Sequence, residues 1–161
     1  MKKILVVYYS RTGVTKKLAL SIAQLLQADI EEIIDTKKRL GLLGYIMAGR
    51  DAALKKQTKI QKIIHDISTY DIVCIGTPVW DFTMSAAIRT YLTNYEHLLP
   101  DSLVFFCTQA SSGAETAFQE MAKIVGKRPT TTMVYTSKEI LKDKYMSAIQ
   151  DQLASAGLLR E

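Results

Sequence analysis

Apolar residues along this chain follow two rhythms that alternate from one end to the other. Runs over about 3–9, 29–34, 71–76, 102–107 and 131–136 read as strands. The first, third and fourth are nearly continuous, as in Ile4-Leu5-Val6-Val7-Tyr8-Tyr9. Such runs belong to strands covered on both faces, the situation in a parallel sheet. Between them, apolar residues at helical spacing predict helices over about 13–27, 60–68, 83–95, 114–126 and 138–155. Strict alternation of strand and helix predicts an α/β fold with a doubly wound parallel sheet, in one domain spanning 1–161. In such a sheet, ligands bind beyond the carboxyl ends of the strands, where the strand order reverses.

One connection departs from this rhythm. Residues at about 36–60, between the second and third strands, make a longer link than an ordinary crossover. Leu43, Ile46, Met47 and Leu54 fall at helical spacing there, so a short amphipathic helix is expected, weakened by Gly44 and Gly49.

Composition changes this picture little. Apolar residues make up 48% and charged residues 23%, ordinary for a soluble globular protein, and no apolar run is long enough to span a bilayer. Met1-Lys2-Lys3 begins like an export signal, but the apolar run that follows ends at Tyr9, so a cytoplasmic protein is expected. Cys74 and Cys107 lie in strand-like runs without metal spacing and read as buried structural thiols. His65 and His97 are isolated, and no metal site is expected.

Charge matters more. The net charge of +5 is local: residues 36–62 hold eight Lys or Arg against Asp51 alone, whereas the rest holds 13 bases and 15 acids. Three readings of this basic connector stand. It is a solvated face, a docking patch for an acidic partner or phosphorylated nucleotide, or a membrane-surface element with Leu42, Leu43, Ile46 and Met47 turned inward. Lys37-Lys38-Arg39 is too short, and too free of interleaved aromatics, for nucleic-acid binding.

The candidate chemistry lies at the strand ends. Ser10-Arg11-Thr12-Gly13-Val14-Thr15 joins the first strand to the first helix. A helix N-terminus offers backbone N–H groups and the positive end of a dipole. Ser10, Thr12 and Thr15 add hydroxyl donors, and Gly13 lets the backbone approach an anion. The turn lacks the Gly-Lys-Ser/Thr of a P-loop and the glycine spacing of a dinucleotide turn, and suits a terminal monophosphate. After the third strand come Gly76-Thr77-Pro78-Val79-Trp80-Asp81, with the only tryptophan of the chain in a loop. Trp80 is either a stacking surface for a planar ring or a cover on the end of the core. Asp81 reads as a helix N-cap before Phe82-Thr83, with a contact to a bound ring or substrate as the alternative. After the fourth strand, Thr108-Gln109-Ala110-Ser111-Ser112-Gly113 forms another small polar turn into a helix.

Together these three loops resemble the flavodoxin-like family, in the right order and at the right strand ends. The resemblance runs over essentially the whole chain, least in the 36–60 connector. It implies a three-layer sandwich with a five-stranded parallel sheet of order 2-1-3-4-5, and one bound FMN. It implies that Ser10, Arg11, Thr12, Gly13, Val14 and Thr15 hold the phosphate. Thr77, Pro78, Val79 and Trp80, with Thr108, Gln109, Ala110, Ser111, Ser112 and Gly113, would then line the ring. The third loop departs from the family pattern, with no aromatic and little glycine. One ring face left uncovered favours a reactant that lies flat on it, a quinone or NAD(P)H, over a partner protein touching the ring edge. The expected function is therefore electron transfer on FMN, in an oxidoreductase or a carrier, without an essential catalytic acid or base. The alternative is a signalling or assembly module of the same fold that binds no flavin.

Overall fold

A computed structural model describes residues 2–36, 43, 44, 46, 47, 50 and 56–159. The elements are β1 (Ile4–Tyr8), α1 (Val14–Leu26), β2 (Asp29–Glu32), β3 (Ile72–Trp80), β4 (Thr83–Met84), α2 (Ala86–Tyr95), β5 (Ser102–Gln109), α3 (Ala114–Val125), β6 (Thr131–Thr136), α4 (Ser137–Leu141) and α5 (Met146–Ser155). The sheet runs β2-β1-β3-β5-β6, all parallel, and β4 pairs antiparallel with the end of β3. Counting parallel strands alone, that is the expected order 2-1-3-4-5.

Period-two alternation divides each central strand between two cores. Leu5, Val7, Val73, Ile75, Leu103 and Phe105 pack with Ile88, Tyr91 and Leu92 of α2 and Phe118 and Met121 of α3. Val6, Cys74, Val104 and Phe106 face the other way, against Leu18 and Ile22 of α1 and Ile149 and Leu153 of α5. β1, β3 and β5 are covered on both faces, which explains their unbroken apolar runs. Among the described residues no helix is long and apolar enough to cross a membrane.

Three expected helices come out differently. No helix forms over 60–68. Ile60 bridges Asp35, Gln61 N–H donates to Ile34 O at 2.9 Å, and the N–H groups of Ile64 and His65 donate to the buried Glu31 carboxylate. The donors a helix would use internally are taken by β2 and its flank; only the short 3-10 turn Ile67–Thr69 remains. The helix expected from 83 begins at Ala86, because Thr83 and Met84 fold back on β3 and Ser85 supplies the cap, accepting from Ile88 N–H. The helix expected over 138–155 is split by Asp143, which takes a left-handed φ of 54° and reaches Lys17 Nζ at 2.7 Å. In the connector, Leu43, Gly44, Ile46, Met47 and Arg50 have helical backbone, with Leu43, Ile46 and Met47 exposed. Leu42, Leu54 and the Lys37–Arg39 cluster lie outside the described residues.

Candidate functional site

The carboxyl ends of β1, β3 and β5 meet where the strand order reverses, and two adjoining cavities open there. The first, about 160 Å³, is polar and lined by Arg11, Thr12, Val14, Thr15, Pro78, Thr108, Gln109 and Ser137. The second, about 400 Å³, is mainly apolar and lined by Ile46, Asp81, Phe82, Ser111 and Ser112. Val79, Trp80 and Ala110 line both.

The helix end of the polar pocket is built locally, and β3, β5, the loop after it and Ser137 supply the rest of the lining. α1 starts at Gly13, whose φ of 90° is left-handed and whose absent Cβ would touch nothing, so conformation rather than crowding demands glycine there. No side chain caps α1 and its first turn holds no acid. α2 and α4 differ, being capped by Ser85 and Thr136. Lys16 is drawn to Glu32, 2.8 Å away, and Tyr8 O–H donates to the same carboxylate. Burial and this bond push the Tyr8 phenol well above its ordinary pKa. Among the described residues Arg11 is thus the one basic side chain lining the pocket, beside hydroxyls and no carboxylate. That donor set fits a dianion at a helix N-terminus.

Two of the three hydroxyls have structural tasks as well. Ser10 Oγ accepts from Gly13 N–H at 3.1 Å and holds the turn. Thr15, buried at 2% exposure, pairs with Thr108 Oγ1 at 2.7 Å. Two hydroxyls share two hydrogens; one serves this bond, so the pair keeps a single hydrogen for a ligand. Thr12 is exposed.

The apolar cleft is built from distant segments. Trp80 ends β3 rather than lying in a loop, and its ring meets Tyr9 edge-on at 5.8 Å. The Arg11 guanidinium lies 5.7 Å from its centroid. Asp81 caps no helix. With Phe82 it forms a two-residue turn between Trp80 and Thr83, and their φ values of 47° and 62° are those of a type I′ hairpin. Gly113 closes the opposite wall: a Cβ there would lie 2.8 Å from Phe82 Cα and 2.9 Å from Val79 Cγ1.

Among the remaining expected ring-lining residues, Thr77 is fully buried, with its hydroxyl donating to Pro78 O and accepting from Ser85 N–H. It lines neither cavity. Gln109 borders the pocket, but its amide holds the third loop, donating to Ser111 O and accepting from Ala114 N–H. Ser137 lines the polar pocket without having been singled out from sequence, and Ile46, singled out only as an apolar position of the connector helix, lines the cleft. Ser137 opens α4 directly after β6, a strand-end position that would have flagged it. Cys74 and Cys107 lie in β3 and β5, and burial pushes both thiols up to about 12.

A family model described as flavodoxin matches residues 3–147. No curated protein sequence matches the chain. Among solved structures, a flavoprotein from Lactobacillus acidophilus in complex with FMN is similar at 23% identity and a TM-score of 0.71, covering 88% of this chain and 98% of that one. A WrbA-like flavodoxin from Agrobacterium tumefaciens is similar at 15% identity and a TM-score of 0.58, covering 99% and 100%. The two-electron reduced flavodoxin of Megasphaera elsdenii follows at 12% identity and 0.56, covering 91% and 98%. At these identities the likeness is one of fold.

Proposed function

This chain belongs to the flavodoxin family, and from that membership together with the paired cavities we propose that it binds FMN and works as a redox protein. One observation carries the reading: a polar pocket at an uncapped helix N-terminus opens, through the shared residues Val79, Trp80 and Ala110, into an apolar cleft large enough for a planar ring. In this reading Arg11, Thr12, the Thr15–Thr108 pair and Ser137 hold the phosphate, with the backbone N–H groups that open α1. Val79 and Trp80 bound the ring, with Ala110, Ser111 and Ser112 across from them. FMN, when bound, supplies one- and two-electron chemistry; the protein anchors, orients and shields it.

Within that function we propose an oxidoreductase acting on a small planar reactant, a quinone or a nicotinamide. Support comes from the cleft wall at Ala110, Ser111 and Ser112, which carries no aromatic side chain, and from Phe82, 58% exposed at the rim. A reactant that exchanges a hydride needs a free ring face, whereas a carrier needs only an edge.

The test is a visible absorbance titration of the purified protein with FMN, then riboflavin. The expected result is flavin bands with quenched fluorescence, tighter binding of FMN than riboflavin, and NAD(P)H oxidation that depends on added quinone. No uptake of either flavin would overturn the cofactor reading. Flavin uptake with electron exchange to protein partners alone would overturn the oxidoreductase and leave a carrier.

A further inference from the structure

The strained turn at the cleft rim is held from outside the site. Thr83, the first residue after that turn, is 4% exposed. Its hydroxyl donates to Glu120 Oε2 and accepts from Arg89 Nη2 at 2.8 Å, while the same Nη2 donates to Glu120 Oε2 at 2.9 Å. The three side chains close a triangle joining β4, α2 and α3. Arg89 and Glu120 are only 9% and 16% exposed, so water screens the pair little and their charges depend on each other. This arrangement uses an arginine and a glutamate where an apolar contact would bury more simply.

From this geometry we infer that the Arg89–Glu120 pair, acting through the Thr83 hydroxyl, is a positioning clamp that sets the width of the ring cleft. Asp81 and Phe82 both hold left-handed φ; aspartate tolerates that region, but for bulky Phe82 such backbone persists only where its surroundings over-determine it. Trp80 is fixed from one side by Tyr9. Thr83 is fixed from the other by the pair. Glu120 also belongs to α3, the helix whose start at Gly113 forms the facing wall against Phe82 and Val79. One carboxylate therefore ties both walls of the cleft, and none of the three residues lines either cavity.

As a statement about a flavin ring the inference rests on the proposed FMN site; as a statement about Trp80 it does not. Because Trp80 is the sole tryptophan, its emission reports the hairpin in the cofactor-free protein. Thr83→Val keeps the side-chain shape and leaves the ion pair intact while cutting its link to the hairpin; Thr83→Ser restores the hydroxyl. Acrylamide quenching of Trp80 is expected to rise in Thr83→Val and in Glu120→Gln, at unchanged far-UV circular dichroism, and to return to the parental value in Thr83→Ser. Riboflavin, which has the ring but no phosphate, is expected to bind about tenfold more weakly to Thr83→Val, as for one lost charge-assisted hydrogen bond. Inorganic phosphate is expected to bind all variants alike. Parental quenching in Thr83→Val, or altered quenching that Thr83→Ser fails to restore, would overturn the clamp. Altered quenching with unchanged riboflavin affinity would overturn its role in setting the ring cleft. If the parental protein takes up no flavin while quenching responds as expected, the clamp stands and the cofactor reading falls.

Discussion

The polar pocket and the apolar cleft share three residues and are built by opposite means. The helix-end part of the pocket comes from one strand–turn–helix, where Ser10, Gly13 and the start of α1 organise one another over four residues, although β3, β5, the loop after it and Ser137 complete the lining. Among the described residues the cleft comes from the end of β3 and its hairpin turn, Ile46 of the connector and the loop before α3, which meet only in the folded chain. Local construction gives the proposed anion site ordinary backbone and a glycine where φ requires it. Long-range construction tolerates Asp81 and Phe82 in left-handed backbone, because buried contacts on both sides hold them. The pocket is therefore expected to withstand changes that would collapse the cleft.

Gly113→Ala should break that contrast most severely. Its Cβ would meet backbone at 2.8 Å and a φ of 105°. We expect a loss of about 3 kcal/mol from strain and overpacking together, seen as a lower denaturant midpoint, with riboflavin binding lost before phosphate binding. An unchanged midpoint would mean that the two walls do not touch.

Next come the threonines of the pocket. Thr15→Val strands the buried Thr108 hydroxyl and should cost about 1–2 kcal/mol of stability without any ligand. Thr12→Val, at an exposed position, should leave stability within about 0.5 kcal/mol and weaken FMN alone. Equal effects of the two substitutions on thermal unfolding would remove the distinction.

Relieving the hairpin should have the reverse sign. Asp81→Asn with Phe82→Gly supplies the residues a type I′ turn favours and should raise stability by about 1 kcal/mol, while weakening ring binding through the loss of Phe82. A stabilised protein with tighter riboflavin binding would show that Phe82 obstructs the cleft rather than bounding it.

The smallest effect at neutral pH concerns the strands that carry both regions. Cys74 and Cys107 have thiols raised by burial to about 12 in the folded chain, against an ordinary value of 9.0. An unfolded chain therefore loses these protons first, so stability is full below about pH 9 and falls as pH rises towards 12. The native protein should react negligibly with a thiol reagent at pH 8, and its denaturant midpoint should decline only in alkali. Rapid labelling of the folded protein would contradict the burial.

How much of this was legible in the chain follows from the same contrast. The continuous runs of β1, β3 and β5 announced a doubly covered sheet, because a strand buried on both faces has no room for polar residues. The turn from Ser10 to Thr15 could be read as the candidate anion site, because its donors are neighbours in sequence. The hairpin was hidden: Asp81 is a usual turn residue but Phe82 stands where a type I′ turn favours glycine, and β4 is two residues long. Residues 60–68 carried a helical spacing, but the N–H groups of Gln61, Ile64 and His65 went instead to Ile34 and Glu31 across the fold. Thr77 looked like a site residue and is a core hydroxyl, whereas Arg89 and Glu120 gave no sign that they would pair beside the hairpin.

Periodicity and adjacent chemistry were enough to specify the alternating layers and to mark the turn from Ser10 to Thr15 as a candidate anion site, since those depend on which residues sit next to or one turn from each other; the strand order was implied by the family resemblance and is the one the sheet adopts. Folding alone settled which hydroxyls face the cavity, how Trp80 is oriented, and what holds the cleft open. Each of those depends on partners tens of residues away, whose pairing has free energy only once the core has brought them together.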